Sequence, residues 1–85
     1  MEARLDGNAV GGILLELFGT EMTTATGICG SCGAAGAIAE LHVYLRGPGT
    51  VIRCPQCESV LMRIVQSDKR TWVDLRGLRT LQIEH

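Results

Sequence analysis

The chain has 85 residues, a formal net charge of −1 and 46% hydrophobic residues, which bounds it to one domain at most. A domain of that length buries only about 60% of the surface its unfolded chain exposes, so its core is small and needs a staple. The three aromatics, Phe18, Tyr44 and Trp72, leave that core to aliphatic side chains, and the charge balance excludes a global attraction to nucleic acid.

The balance hides an asymmetry, because residues 1–45 sum to −4 and residues 46–85 to +3. The opening MEARLDGNAV lacks a basic region followed by an apolar run, and no segment approaches the ~20 apolar residues of a membrane span. The expectation is a soluble, cytoplasmic protein. In a reducing compartment, closely spaced cysteines are more often metal ligands or catalytic thiols than lasting disulfides.

The first predicted element is an amphipathic helix over about 7–18. In LDGNAVGGILLELFG, Asp6 or Asn8 can cap, Val10, Ile13, Leu14, Leu17 and Phe18 form one apolar face, and Gly19 supplies the stop. Gly11 and Gly12 weaken the helix by about 1 kcal/mol each relative to Ala, so packing must hold it, and either can admit another backbone. The apolar face has two readings: a cover for one side of a thin sheet or, if exposed, an interface for a homodimer or another protein.

Residues 21–28, EMTTATGI, read as a short extended segment, with Thr23, Thr24 and Thr26 taken as strand formers rather than a recognition edge. Leu41, Val43 and Leu45 alternate with His42, Tyr44 and Arg46 as a strand, Gly47-Pro48-Gly49 is a turn, and Thr50 to Arg53 return as its hairpin partner. His42 is read as a partly exposed strand side chain and His85 as a mobile terminal residue. SVLMRIVQ, residues 59–66, is a nearly continuous apolar run and is predicted to be a central strand covered on both faces. A polar turn leads to TWVDLR, residues 71–76, where Trp72, Asp74 and Arg76 share one face; a lone tryptophan in so small a domain is expected in the core. Residues 77–85 form a tail in which Leu81 and Ile83 alternate with polar residues, either a last edge strand or an arm on a partner.

The strongest signal is Cys29-x2-Cys32, twenty-one intervening residues, then Cys54-x2-Cys57. Two residues between cysteines let a tight turn aim both sulfurs at one ion, and two such turns supply the tetrahedron zinc prefers. A closed four-cysteine site leaves no open coordination position, so the expected Zn2+ is a single structural ion. Gly33 suits the first turn, where positive φ is often needed, and Pro55 presets the second. Glu58 stands where many such turns have glycine, an anion beside thiolates, and Arg53 is the nearest candidate to offset it.

The order of turn, hairpin, turn and strand resembles the zinc-ribbon fold over about 27–76. LDGNAVGGILLELFG, TTATGIC, VIRCPQC, VLMRIV and VDLRGL together resemble a family of short stand-alone bacterial zinc-ribbon proteins of unassigned function. The resemblance implies the fold and Cys29, Cys32, Cys54 and Cys57 as ligands, without a reaction or partner. The expected class is therefore a single α+β domain over 1–85, an N-terminal helix packed on a small antiparallel zinc-ribbon sheet.

A thioredoxin-like reading of Cys54-Pro55-Gln56-Cys57 needs a helix after the motif, where strand is predicted. A rubredoxin-like iron redox carrier shares the ligand pattern and is separated from zinc by its visible absorption. No nucleophile triad, phosphate loop or paired carboxylates are evident, so no enzyme and no small-molecule substrate is expected. The expected role is a non-catalytic interaction or adaptor module with a protein partner. The alternative is a transcription-associated nucleic-acid-binding ribbon using the basic C-terminal hairpin, Arg63, Lys69, Arg70, Arg76 and Arg79, with Trp72 to stack on a base.

Overall fold

A computed structural model describes residues 4–46 and 49–83, so Gly47 and Pro48 of the predicted turn, and His85, lie outside the described residues. The elements are β1 (Leu5–Asp6), a 3-10 turn (Gly7–Val10), α1 (Gly11–Phe18), β2 (Thr26–Cys29), β3 (Ala35–Ala37) and a second 3-10 turn (Ile38–Glu40). They continue with β4 (His42–Arg46), β5 (Gly49–Arg53), β6 (Val60–Gln66), β7 (Thr71–Asp74) and β8 (Leu78–Gln82). All strand pairs are antiparallel. They divide into a five-stranded sheet, β1-β4-β5-β6-β7, and a three-stranded sheet, β3-β2-β8. With one short helix this is a small α+β fold.

The predicted helix forms in two parts. Asp6 Oδ1 accepts from the Asn8 amide at 3.1 Å, capping the 3-10 turn, and the α-helix begins only at Gly11. Gly19, at φ 73°, closes it with its N–H on the Leu15 carbonyl at 2.9 Å. Val10 and Leu14 are fully buried, Ile13 and Phe18 pack against the core, and Leu17 is exposed. Most of the apolar stripe therefore covers the sheet. The close backbone approach expected at Gly11 or Gly12 occurs instead at Gly7, where a Cβ would lie 1.6 Å from the Ile38 carbonyl oxygen. At Gly11 the nearest atom is a Thr23 methyl at 3.2 Å, and at Gly12 nothing lies within 4 Å.

One face of the large sheet supplies Val43, Ile52, Met62 and Ile64 to the core, where they meet Leu14, Met22, Ile38 and Leu41. In β6, Leu61, Met62 and Ile64 are buried while Arg63 is exposed, and the middle strand is β5, so β6 is interior but not covered on both faces. The turn before β2 shortens the extended segment expected over EMTTATGI, and Ala35–Ala37, ahead of the predicted strand at Leu41, forms a short strand of its own followed by the 3-10 turn. Ile38 and Ala39 donate instead to the carbonyls of Ala25 and Thr23, both at 2.9 Å.

Trp72 departs from its expected place in the core: it is 51% exposed. The cause is topological. β7 is an edge strand, and Trp72 pairs in register with Val65 on the face of the sheet opposite Ile64 and Met62. The C-terminal segment takes the edge-strand alternative, since Leu78–Gln82 pairs with β2 and Leu78, Leu81 and Ile83 pack against the core. Among the described residues no helix is long and apolar enough to cross a membrane.

The passage from β7 to β8 depends on Gly77. A Cβ there would lie 1.9 Å from the Val60 carbonyl oxygen and 2.6 Å from Leu61 Cα, and the Gly77 carbonyl accepts from the Gly30 amide at 2.9 Å. Gly77→Ala is therefore expected to destabilise the protein by more than about 2 kcal/mol, since backbone on both sides must shift. Urea denaturation checks this, with Gly12→Ala, at an open helical position, as the neutral or stabilising control.

Candidate metal centre

The four cysteines come from two turns built alike. In the first, which joins β2 to β3, the Cys29 amide donates to the Ala34 carbonyl at 2.9 Å and the Gly33 amide to the Cys29 carbonyl at 3.0 Å. In the second, which joins β5 to β6, Cys54 donates to Ser59 at 2.9 Å and Glu58 to Cys54 at 2.8 Å. Gly33 and Glu58 occupy equivalent positions and both take positive φ, 78° and 63°. Backbone amides converge on the leading sulfurs: Ser31 on Cys29 Sγ and Gln56 on Cys54 Sγ, each at 3.4 Å, with Cys32 on Cys29 Sγ at 3.5 Å. Such N–H groups stabilise thiolates and orient them toward a shared ion.

All four Sγ atoms lie within 4.8 Å of one another, and Cys29–Cys57 and Cys32–Cys54 are each 3.7 Å apart. A regular tetrahedron with metal–sulfur bonds of about 2.3 Å has edges of about 3.8 Å, so the sulfurs fit a metal ion at their centre. A disulfide needs about 2.05 Å, and the four thiols are free. Cys29 and Cys54 are buried and belong to the hydrophobic core, while Cys32 and Cys57 face solvent.

The environment favours thiolates unevenly. The Ser59 hydroxyl, 3.3 Å away, and then the Ser59 amide bring the Cys57 thiol down to about 6. The Cys32 amide lowers that of Cys29. At Cys32 the Ala34 amide acts in the same direction, but desolvation and the neighbouring sulfurs push the thiol up to about 11. Four negative sulfurs cannot share this volume without a cation.

Over residues 1–85 the chain matches a family described as a family of unknown function (DUF6510). The chain belongs to that family. No curated protein and no solved structure matches it.

The remaining candidate residues separate into groups. Arg63 on β6, Trp72 on β7 and Arg70 just before it lie together, with the Arg70 guanidinium 5.7 Å from the Trp72 ring centroid. Lys69 is exposed in the turn between those strands. Arg76 is engaged by Asp74, whose carboxylate it holds at 2.8 and 3.1 Å, drawing the Asp74 carboxyl down to about 2. Arg79 lies on β8 in the other sheet.

Glu58 has partners that its local sequence does not announce. Its carboxylate lies 3.2 Å from His42 Nδ1 and accepts from the Tyr44 hydroxyl at 3.5 Å, both on β4. Arg53 donates to the Glu58 backbone carbonyl at 2.7 Å rather than to its carboxylate. These contacts hold a non-glycine residue in a left-handed conformation that costs roughly 1–2 kcal/mol. Glu58→Ala removes the anchors and keeps the β-carbon, whereas Glu58→Gly removes both. Glu58→Gly is expected to be about 1 kcal/mol more stable than Glu58→Ala in urea denaturation. Equal stabilities would show that the conformation carries no strain.

Proposed function

We propose that the four sulfurs hold one structural zinc ion, that the fold is a zinc ribbon, and that the protein is a non-catalytic interaction module of the cytoplasm. The observation that carries this reading is the pairing of two equivalent cysteine turns, whose sulfurs fit a tetrahedron with no position left for substrate. A metal enclosed by four thiolates is neither an exposed Lewis acid nor a source of activated water.

The surroundings support a non-catalytic role. A cleft of about 270 Å³ beside Cys29 and Cys54 is lined mainly by small and apolar residues, and Glu40 is its one ionisable group other than the cysteines. A lone exposed carboxylate has no acid or nucleophile to work with there. Interaction through the helix, as a homodimer, has little support, because Val10, Ile13, Leu14 and Phe18 are spent on the core. The solvent face of the large sheet is the better-equipped surface.

In zinc-finger peptides the apparent binding free energy of such a site is ~10–16 kcal/mol, comparable to or larger than the stability of a small domain. Metal analysis of the purified protein is expected to give about one zinc per chain, and Cys54→Ser to abolish cooperative thermal unfolding. Visible absorption from bound iron, or a cooperatively folded metal-free chain, would overturn the assignment.

A further inference from the structure

We propose that the solvent face of the five-stranded sheet binds single-stranded nucleic acid, with bases stacked on Trp72 and Tyr44 and phosphates held by Arg53, Arg63 and Arg70. This rests on the reading of the protein as an interaction module and names its partner.

The strand register builds the surface. Tyr44, Val51, Arg63 and Asp74 stand opposite one another across β4, β5, β6 and β7. The neighbouring rows contribute Val65 with Trp72 on one side and His42 with Arg53 on the other. All of these alternate along their strands with the core residues Val43, Ile52, Met62 and Ile64, so they share the opposite, outward face. Tyr44 and Trp72 are separated by three strand spacings and one two-residue step, about 16 Å at 4.8 Å per strand and 3.4 Å per residue. Val51 and Val65 form a partly buried apolar floor between them.

Each aromatic carries its own guanidinium. Arg53 lies 5.9 Å from the Tyr44 ring centroid and Arg70 lies 5.7 Å from that of Trp72, with exposed Arg63 between the two pairs. Aromatic platforms interleaved with arginines are what an unpaired strand requires, since every base presents a π-face and every nucleotide a phosphate. A duplex hides its base faces inside the stack, so it cannot use the platforms. Of the carboxylates on this face, Asp74 is paired with Arg76 and Glu58 is bonded to His42 and Tyr44, which offsets part of the negative charge beside the arginines. A cleft of about 160 Å³ lined by Arg63, Asp74 and Arg76 opens beside the row.

A partner protein would also favour Trp and Arg, but it would need carboxylates matched to three separated guanidinium groups, whereas a nucleic-acid backbone supplies such charges at regular intervals. The formal net charge of −1 means that attraction is local, so binding is salt-sensitive with a shallow slope. Three phosphate contacts predict a slope of log K against log salt of about −2 for a single strand.

The test uses the metal-loaded 85-residue protein with oligothymidylate and oligouridylate of about 12 nucleotides, within the usual site size of such platforms. Trp72 is the sole tryptophan, so its fluorescence reports stacking directly. Both strands are expected to quench it saturably, because stacking and phosphate contact do not sense the sugar, and duplex DNA to bind more weakly. Trp72→Ala, followed by anisotropy of a labelled strand, should lower affinity about tenfold or more. Arg63→Glu should lower affinity and flatten the salt slope, while Arg79→Glu on the other sheet should leave both unchanged. Absence of saturable quenching at low salt, equal or tighter binding of duplex, or Trp72→Ala binding like the parent would overturn the proposal. So would a protein ligand that needs Trp72 while neither strand binds. Zinc content measured on the same samples separates the two readings: one zinc with no binding defeats only the surface assignment, and a folded chain without zinc defeats the metal assignment whatever it binds.

Discussion

The constraint on which this structure depends is the gathering of four cysteine sulfurs into a volume less than 5 Å across, from two turns that belong to different sheets. Thiolates 3.7 Å apart repel on the order of 4 kcal/mol per pair at an effective dielectric of 20, so without a cation some sulfurs keep their protons. A metal ion held by all four sulfurs would turn that repulsion into a tie between the three-stranded sheet, which provides Cys29 and Cys32, and the five-stranded sheet, which provides Cys54 and Cys57. Because Cys29 and Cys54 are themselves core residues, such a tie would be continuous with the hydrophobic cluster. The cysteine cluster and the core are therefore contiguous.

The other joints between the sheets are made by backbone. Gly77 packs on Val60 and Leu61 of β6 while its carbonyl receives the Gly30 amide, so the chain crosses from one sheet to the other against the first cysteine turn. Gly7 makes a second close approach, where the 3-10 turn after β1 sits against the Ile38 carbonyl. A core of Leu, Ile, Val and Met with no fully buried aromatic leaves thin layers. Thin layers place main chain against main chain, and only glycine fits there. This explains why a small chain with few bulky side chains can still bury thirteen of its described residues, the cysteines Cys29 and Cys54 among them, in one hydrophobic cluster.

What could be read from the sequence was local. The cysteine turns, the helix face, the Gly19 stop and the 42–53 hairpin are each encoded within a few residues, and all of them appear. What could not be read was pairing at a distance. Nothing in LRTLQ says that it joins β2, and nothing in TWVD says that its strand is an edge, so the core expected for Trp72 is one from which topology excludes it. Glu58 shows both sides of this. Its position after the second cysteine pair marks it as a departure, but the partners that make it tolerable, His42 and Tyr44, are brought close only by the register of β4 against β5.

That register gives Glu58 a role beyond closing its own turn. Its amide completes the second cysteine turn, its carbonyl receives Arg53, and its carboxylate holds His42 and Tyr44. Arg53 in turn lies over the Tyr44 ring. A glycine at this position would satisfy the turn equally well and would leave the tyrosine hydroxyl and the histidine without their acceptor. The choice of glutamate, at a backbone cost, thus couples the cysteine turn to the order of one aromatic–arginine pair on the solvent face. The first turn, with glycine at the equivalent position, carries no such side-chain connection and is free to face the smaller sheet. The asymmetry between two otherwise matching turns is therefore an asymmetry between the two surfaces they support.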